Sequence, residues 1–257
     1  MIDRKERLAE LVAMSRALGH PAADCAMMGE GNTSTRAGED TFWVKASGFQ
    51  LPCIDEEGFT ECRFDKVLEL LEADDISNEN VKRVLAASQV NPEAPRPSVE
   101  TILHALLLRL PGIEFVGHTH PTAVNAILCA KNGKEAFAGR IFPDEIVCCG
   151  PRYLWIPFTD PGAPLARAVN QAVRQFIEDN KMPPKVILMQ NHGCIALGPT
   201  RASVENATFM LVKTARVILG TYALGGPNFM SEQLVDYIYA RPDEKYREAL
   251  LEAIKQG

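Results

Sequence analysis

Short apolar stretches of strand length alternate with longer amphipathic stretches along most of this chain of 257 residues. Strands are predicted at residues 41–48, around 118–120, and at 146–150, 153–158, 186–189 and 194–197. Helices are predicted at residues 4–18, 64–72, 98–109, 121–130, 165–180, 202–219 and 231–255, the last with a break at 241–242. With no internal repeat and no linker, this mixture predicts one α/β domain with helices on both faces of a sheet.

Composition and charge narrow the class of protein. The chain is 46% hydrophobic and 23% charged, and its net charge of −6 argues against nucleic acid or an anionic membrane as a partner. No apolar run reaches the roughly 18 residues of a membrane span. Seven cysteines, scattered and without C-x-x-C pairs, fit reduced thiols. A cytoplasmic protein is therefore expected.

Two histidines lie two residues apart in the stretch 114–121, directly after an apolar run. Because side chains alternate along a strand, His118 and His120 share one face and can hold one metal ion. His192, in the Asn-His-Gly segment after another apolar run, is the candidate third ligand. Three imidazoles suit a divalent metal such as zinc and leave one coordination position open. Spacing alone does not place His192 beside the pair, and a buried structural role for each histidine stays open.

A carboxylate stands near the start of the helix that leads into this histidine strand. Ser98 is predicted as the N-cap of that helix, and Glu100 follows in its first turn. In the simpler interpretation Glu100 only opposes the helix dipole. In the other, it fills the open metal position at rest and moves a proton to or from a substrate. His104, one turn further on the same face, is either a supporting residue or a satisfied core histidine.

Three segments are candidates for binding an anion. They are the Gly-Asn-Thr-Ser run at 31–34, expected as a glycine-rich turn within 28–36, the Ser47-Gly48 pair, and Ser98 at its helix start. Each is weak alone, because these residues are also ordinary turn residues. The segment at 29–34 is neither a Walker loop nor a complete dinucleotide fingerprint.

The ordered set of these motifs resembles the class II aldolase/adducin family. The motifs in this chain are Gly31-Asn32-x-Ser34, Ser47-Gly48, Ser98-Val99-Glu100, His118-x-His120 and Asn191-His192-Gly193. The resemblance covers about residues 5–220. It implies an α/β/α sandwich around a central, mostly antiparallel sheet. Residues 1–257 are predicted to form a single domain, in which the sequence pattern adds a helical tail at 228–257 to this core. The resemblance also implies a homotetramer with active sites at subunit interfaces.

The same resemblance implies roles for individual residues. His118, His120 and His192 would bind one divalent metal ion, with zinc expected, and Glu100 would be the catalytic proton shuttle. The substrate phosphate would be held by Asn32, Ser47, Gly48 and Ser98. The implied activity is that of a zinc-dependent aldolase acting on a ketose phosphate through a metal-stabilised enediolate. At position 100 this chain resembles the fuculose- and rhamnulose-phosphate aldolases, which carry glutamate there. The family's ribulose-phosphate 4-epimerases carry aspartate at that position.

Two departures from the family pattern leave the substrate open. Val99 replaces a serine that often precedes the glutamate. Where some family aldolases supply a tyrosine acid from a neighbouring subunit, this chain offers Asp144, or Tyr237 or Tyr239 in its tail. Alternatives are an oxo-tetronate phosphate decarboxylase, a thio-sugar phosphate dehydratase, and a non-catalytic adducin-like module. The last is disfavoured because all three histidines and the glutamate are present.

Overall fold

Seven strands form one sheet in the computed structural model of the protein, which describes residues 3–244, 246 and 250. In chain order they are β1 Asn32–Arg36, β2 Thr41–Lys45, β3 Phe59–Arg63, β4 Phe115–Thr119, β5 Leu154–Ile156, β6 Val186–Met189 and β7 Gly193–Gly198. Across the sheet the order is β3-β2-β1-β4-β7-β6-β5, and only β5 and β6 pair in parallel. The predicted mostly antiparallel sheet is confirmed.

Helices cover both faces of this sheet. They are α1 Arg4–Gly19, α2 Phe64–Glu72, α3 Asn78–Ser88, α4 Thr101–Leu108, α5 Thr122–Leu128, α6 Gly133–Ala136, α7 Pro143–Cys149, α8 Ala163–Asn180, α9 Arg201–Thr221 and α10 Glu232–Ala240. One apolar core lies between the sheet and α2, α3, α4 and α8, and a second lies between the opposite face and α1, α5 and α9. The predicted α/β fold with helices on both sheet faces is therefore confirmed.

The stretch Arg201–Leu224 is, within the described part of the chain, one helical segment long and apolar enough by length and composition to cross a membrane. Its α9 portion packs against β4 and β7 and buries Val204, Leu211 and Ile218 completely. This segment is thus a helix of the second apolar core, which explains its apolar composition.

The strand predicted at residues 146–150 is wrong, because these residues belong to α7 and its C-cap. The pair Ile146-Val147 has the β-branched character of a strand. However, Pro143 begins the segment at a position that favours a helix start, and Asp144 and Glu145 follow in the first turn. Gly150, with a φ of +85°, ends the helix.

The start predicted for the helix at 98 is also wrong. The helix α4 begins at Thr101, and Glu100, not Ser98, occupies the N-cap position without a side-chain capping bond. Residues 98–101 form a turn in which the Thr101 N–H donates to the Ser98 carbonyl at 3.1 Å. Pro97 pairs with Ala46 in an isolated bridge, which keeps the chain extended up to that turn.

Part of the glycine-rich turn predicted at 28–36 is a strand. Residues 32–36 form β1, which pairs with β2 on one side and β4 on the other. Its side chains from Asn32 to Thr35 are buried although all are polar. Such a strand lacks the apolar alternation on which prediction depends.

Three elements were not predicted, and one prediction is only partly covered. The strand β3 and the helices α3 and α6 lie in segments to which no structure was assigned. In the predicted tail, α10 and the break at 241–242 agree with the structure. Residues 1–2, 245, 247–249 and 251–257 lie outside the described residues, so the ends of the predicted domain and the end of the tail helix do too.

A buried polar cluster holds α7 to the loop before it. Glu145 is fully buried and accepts hydrogen bonds from Ile141 N at 2.9 Å and from Tyr153 Oη at 2.7 Å. The Arg140 guanidinium lies 3.6 Å from the same carboxylate and 3.5 Å above the Tyr153 ring. Because Arg140 and Glu145 are buried away from water, each charge depends on the other.

Glu145→Ala is expected to lower the free energy of unfolding by about 3–5 kcal/mol, because it leaves the Arg140 charge buried without its carboxylate. Urea unfolding followed by circular dichroism measures this. The control is Asp236→Ala, which breaks the exposed pair with Arg152 and should cost less than about 1 kcal/mol. Equal losses in the two variants would contradict a stabilising role for the buried cluster.

Candidate metal centre

Three histidine side chains converge where β4 and β7 lie side by side. The strands are antiparallel with His118 opposite Ile195, and the turn that carries His192 immediately precedes β7. The three ring centroids are 4.7, 5.0 and 5.2 Å apart. One nitrogen from each ring lies within 4.8 Å of the others. The structure thus brings together the three residues predicted to bind metal.

Glycine at position 193 makes this approach possible. A Cβ there would lie 2.5 Å from His120 Cδ2 and 2.6 Å from the Thr119 carbonyl oxygen. It would also lie 3.2 Å from His118 Cε1. Such distances are shorter than van der Waals contact, so any side chain would push the turn away from β4.

The tautomer of His118 leaves the lone pair of its Nε2 facing the centre of the cluster. His118 Nδ1 lies 2.9 Å from the Cys194 carbonyl oxygen, which can only accept, so Nδ1 donates and Nε2 carries the lone pair. This Nε2 lies 2.9 Å from His120 Nε2. Burial lowers the pKa of His118, and burial together with the neighbouring His118 lowers that of His120 to about 3. Neutral imidazoles with one ring nitrogen anchored to the protein fit a divalent metal.

Glu100 completes the cluster from the start of α4. Its Oε1 lies 3.1 Å from His192 Nε2 and 3.6 Å from His118 Nε2, and its Oε2 accepts a hydrogen bond from Asn32 Nδ2 at 2.6 Å. Burial alone raises the pKa of this carboxyl, but the two histidines and Asn32 outweigh burial and hold the pKa well below its usual value. An ionised carboxylate therefore faces the imidazoles.

A second layer of polar side chains lies behind Glu100. Asn32, predicted to bind phosphate, uses its amide nitrogen for Glu100 and its amide oxygen for His104 Nε2. His104 Nδ1 in turn lies 2.6 Å from Ser34 Oγ. Burial lowers the pKa of His104 to about 3. His104 is thus linked to the site through Asn32.

The remaining residues predicted to bind phosphate lie on two adjacent loops. Ser47 N donates to the Arg96 carbonyl at 2.9 Å, which brings the Ser47-Gly48 turn beside the segment that carries Ser98. Ser47 and Gly48 are exposed, and Gly48 has a φ of +88°. Ser98 Oγ is buried and has no hydrogen-bond partner among the described residues. The predicted role of these residues in phosphate binding stays a prediction.

Lys45 is a buried cation near this site that the sequence analysis missed. Only 4% of the residue is exposed, and its Nζ donates to the Gly29 carbonyl at 3.4 Å. Burial lowers the pKa of Lys45, and the negative charge of Glu100 opposes that effect. A lysine between Val44 and Ala46 in an apolar strand is a signal that points to such a position.

Glu30 and Asn125 were also missed. Glu30 Oε1 lies 3.9 Å from His120 Nδ1, at the exposed edge of the cluster. Asn125 Nδ2 donates to the His192 carbonyl at 3.1 Å and so fixes the turn before β7. No local sequence pattern separates these two residues from ordinary turn and helix residues.

The residues considered as a second acid lie on other elements. Asp144 is in the first turn of α7, and Tyr237 and Tyr239 are on α10, which packs against α7. Tyr237 is exposed, and the Tyr239 ring lies 5.7 Å from Lys185 Nζ. Neither helix carries a member of the histidine cluster, so a role for these residues stays a prediction.

Comparison with known proteins gives a family match over most of the chain. The profile described as the class II aldolase and adducin N-terminal domain matches residues 9–219. A curated relative from Bacillus subtilis, named uncharacterized oxidoreductase YuxG, is 31% identical over 214 residues. That alignment covers 80% of this chain but only 28% of the relative.

Solved structures show the same fold. The N-terminal class II aldolase domain of a conserved Thermoplasma acidophilum protein is 29% identical, with a TM-score of 0.65 over 82% of this chain and 92% of that one. An L-fuculose 1-phosphate aldolase from Glaciozyma antarctica is 16% identical, with a TM-score of 0.62 over 100% of this chain and 94% of that one. The second likeness concerns the fold alone.

Gly193→Ala is expected to weaken binding of Zn²⁺, because a Cβ at this position displaces the turn that carries His192. We also expect a loss of about 1–3 kcal/mol in the free energy of unfolding. Calorimetric titration with Zn²⁺ and urea unfolding measure the two effects. The control is Gly220→Ala, where a Cβ would meet nothing within 4 Å. Wild-type Zn²⁺ affinity in Gly193→Ala would contradict the close approach.

The lowered pKa of His104 makes the stability of the protein depend on pH. Its pKa is 6.5 in the unfolded chain and about 3 in the fold, where burial is the largest cause and His118, Glu100 and Lys45 face it. Below pH 6.5 the unfolded state binds a proton that the native state excludes, so stability falls as the pH falls from 6.5 towards 3. In metal-free protein, His104→Gln should lose less stability between pH 7 and pH 5, by up to about 1.4 kcal/mol per pH unit. Equal losses in urea unfolding would show that His104 is not held neutral.

Proposed function

The chain belongs to the class II aldolase and adducin family, and we propose that it is a zinc-dependent aldolase that cleaves or forms a carbon–carbon bond in a ketose phosphate. The observation that supports this proposal is the position of Glu100 Oε1, 3.1 Å from His192 Nε2 and 3.6 Å from His118 Nε2. A proton-transferring carboxylate beside three clustered imidazoles that can hold a divalent ion suits an enolate-forming lyase.

The three histidines would hold one divalent ion through His118 Nε2 and one ring nitrogen each of His120 and His192. Zinc is favoured because three imidazole donors suit it and leave one position open for substrate. When bound, such an ion supplies Lewis-acid chemistry, which stabilises the negative charge that develops on the substrate when the bond breaks.

Glu100 would move the proton at the reacting carbon. In the direction of bond formation, Oε1 takes the proton from the carbon next to the ketone, and that carbon then adds to the aldehyde, whose oxygen takes a proton from the second acid; cleavage reverses both proton transfers. In cleavage, the same oxygen returns a proton to that carbon. Because Asn32 binds Oε2, only Oε1 is turned towards the histidines.

The neighbouring loops support a phosphorylated substrate. Ser98 Oγ is a buried hydroxyl without a partner in the described part of the chain, and the exposed Ser47-Gly48 turn lies beside its segment. Lys45 supplies a buried positive charge close to Glu100. Hydroxyl groups, glycine N–H groups and a cation are what a phosphate monoester needs. Asn32, which binds Glu100, would also contact the substrate phosphate.

Other lyases of the family are the second candidate, because Val99 supplies no hydroxyl beside Ser98. A decarboxylase of an oxo-tetronate phosphate or a dehydratase of a thio-sugar phosphate would use the same histidines and carboxylate. The oxidoreductase name belongs to a relative of which this chain spans 28%. The chain has no complete Gly-x-Gly-x-x-Gly run for a dinucleotide. A non-catalytic, adducin-like role gives no reason for an assembled histidine and carboxylate cluster.

A homotetramer with active sites at subunit interfaces is the assembly we propose. It would bring α7 or α10 of a neighbouring copy, with Asp144, Tyr237 or Tyr239, towards the histidines as the source of the second acid. Residues 1–257 are proposed to act as one domain. A cytoplasmic location agrees with seven cysteines that are all free thiols.

Metal content tests the first step of the proposal. Protein purified without chelator should contain about one divalent ion per chain, and His118→Ala and His192→Ala should lose it, because two imidazoles bind too weakly to retain the ion. Elemental analysis by mass spectrometry measures this. The control is His20→Ala, which removes an exposed histidine that caps a short helical turn. Metal retained in both triad variants would contradict the proposed centre.

Glu100→Gln tests the proton transfer. The variant should keep its fold and its metal and lose about 10²–10⁴-fold in kcat, the contribution typical of a general acid or base. Retro-aldol turnover is measured on a panel of ketose 1-phosphates, with oxo-acid phosphates in the same panel to reveal a decarboxylase. Full turnover in Glu100→Gln would contradict its assigned role. Turnover by the wild type on the oxo-acid phosphates alone would replace the aldolase with the second candidate.

A further inference from the structure

We propose that His104 is a positioning residue which, through Asn32, orients the Glu100 carboxylate towards the histidine cluster. The inference deepens the proposed function and rests on it. His104 does not touch the cluster, and its contacts run through Asn32 on one side and Ser34 on the other.

The hydrogen bonds that link Glu100, Asn32, His104 and Ser34 have a defined direction. An ionised carboxylate accepts only, so Asn32 must turn its Nδ2–H towards Glu100 Oε2, 2.6 Å away. The Asn32 Oδ1 then faces His104 Nε2, which must carry the proton and donate it. His104 Nδ1 is left as an acceptor for the Ser34 hydroxyl at 2.6 Å. Glu100 and the His104 Nε2–H thus hold the two ends of the Asn32 amide in one orientation.

The periodicities of the strand and the helix place the four residues in two pairs, one on β1 and one at the start of α4. Asn32 and Ser34 are two residues apart in β1 and share one face of the sheet, whereas Glu100 and His104 are four residues apart at the start of α4 and share one side of the helix. The strand β1 packs against α4. The amide of Asn32 therefore lies between Glu100 and the ring of His104.

Burial makes each of these hydrogen bonds necessary, because the groups that form them do not reach water. Asn32 is 5% exposed, Ser34 is fully buried and His104 is 1% exposed. Water does not replace a missing partner at such a position, so an unpaired group there is costly. If the His104 ring is lost, the Asn32 amide is no longer held and can turn its oxygen towards Glu100. Two acceptors then face each other, and the carboxylate moves away from its position.

A satisfied core histidine is the competing interpretation, and the two make different predictions. A core residue would contribute to stability alone. A positioning residue changes kcat more than KM and leaves metal binding intact, because the histidine triad is untouched. It is also replaceable by a side chain that offers one donor and one acceptor in the same place.

The kinetic experiment compares His104→Leu, His104→Gln and the control Ser15→Ala in metal-loaded protein. Ser15 is a fully buried hydroxyl that pairs at 2.6 Å with Thr33, the residue after Asn32 on the other face of β1. His104→Leu should lower kcat about 10- to 100-fold with little change in KM or metal content. His104→Gln should recover most of kcat, because its amide supplies a donor and an acceptor. Ser15→Ala should lose stability without loss of kcat.

An NMR measurement on metal-free wild-type protein tests the same inference without turnover. With ¹⁵N-labelled histidine, His104 should be neutral and protonated on Nε2 at pH 7. Protonation on Nδ1, or unchanged kcat in His104→Leu at full metal content, would overturn the inference. If the wild type turns over no substrate in the panel, the proposed function fails, and the NMR result still decides the direction of the hydrogen bonds. If His104→Leu does not fold, the NMR result decides: protonation on Nε2 supports the inference and protonation on Nδ1 overturns it.

Discussion

The close antiparallel contact between β4 and the turn entering β7 is the constraint on which the rest of the site depends. It places His192, distant in sequence, against His118 and His120, and it requires glycine at 193 because a Cβ would meet the Thr119 carbonyl at 2.6 Å. The same pairing supplies the Cys194 carbonyl that anchors His118 Nδ1 at 2.9 Å. One piece of backbone geometry therefore assembles the three histidines and selects the tautomer of His118.

Burial acts in opposite directions on the two kinds of side chain in the site. It lowers the pKa of His118, His120 and His104, which favours the neutral forms of these imidazoles. It also raises the pKa of Glu100, but the histidines and the Asn32 amide outweigh that effect and keep the carboxylate ionised. A metal centre needs both conditions, since a protonated imidazole does not bind a cation. Two polar residues of β1 contribute here: Asn32 donates a hydrogen bond to Glu100, and Ser34 forms a hydrogen bond with His104.

Local patterns predicted part of this arrangement, and long-range pairing decided the rest. The two-residue spacing of His118 and His120 was enough to place them on one face, and the family motif order brought in His192. The role of Asn32 between Glu100 and His104 was not predictable, because it depends on α4 packing against β1 across 68 residues. The strand expected at 146–150 is helical because Pro143 and the acidic first turn outweigh the β-branched pair that follows. Lys45 was recognisable in principle as a cation within an apolar strand.

We propose that three histidines from two adjoining parts of the sheet form one metal centre. X-ray absorption at the zinc edge of Zn²⁺-loaded wild-type protein tests it most directly, because the spectrum reports the type and number of atoms around the metal. We expect three imidazole nitrogens, with oxygen completing the shell and no sulfur, although the chain has seven cysteines. A shell that contains sulfur, or one with fewer than three imidazoles, would contradict it.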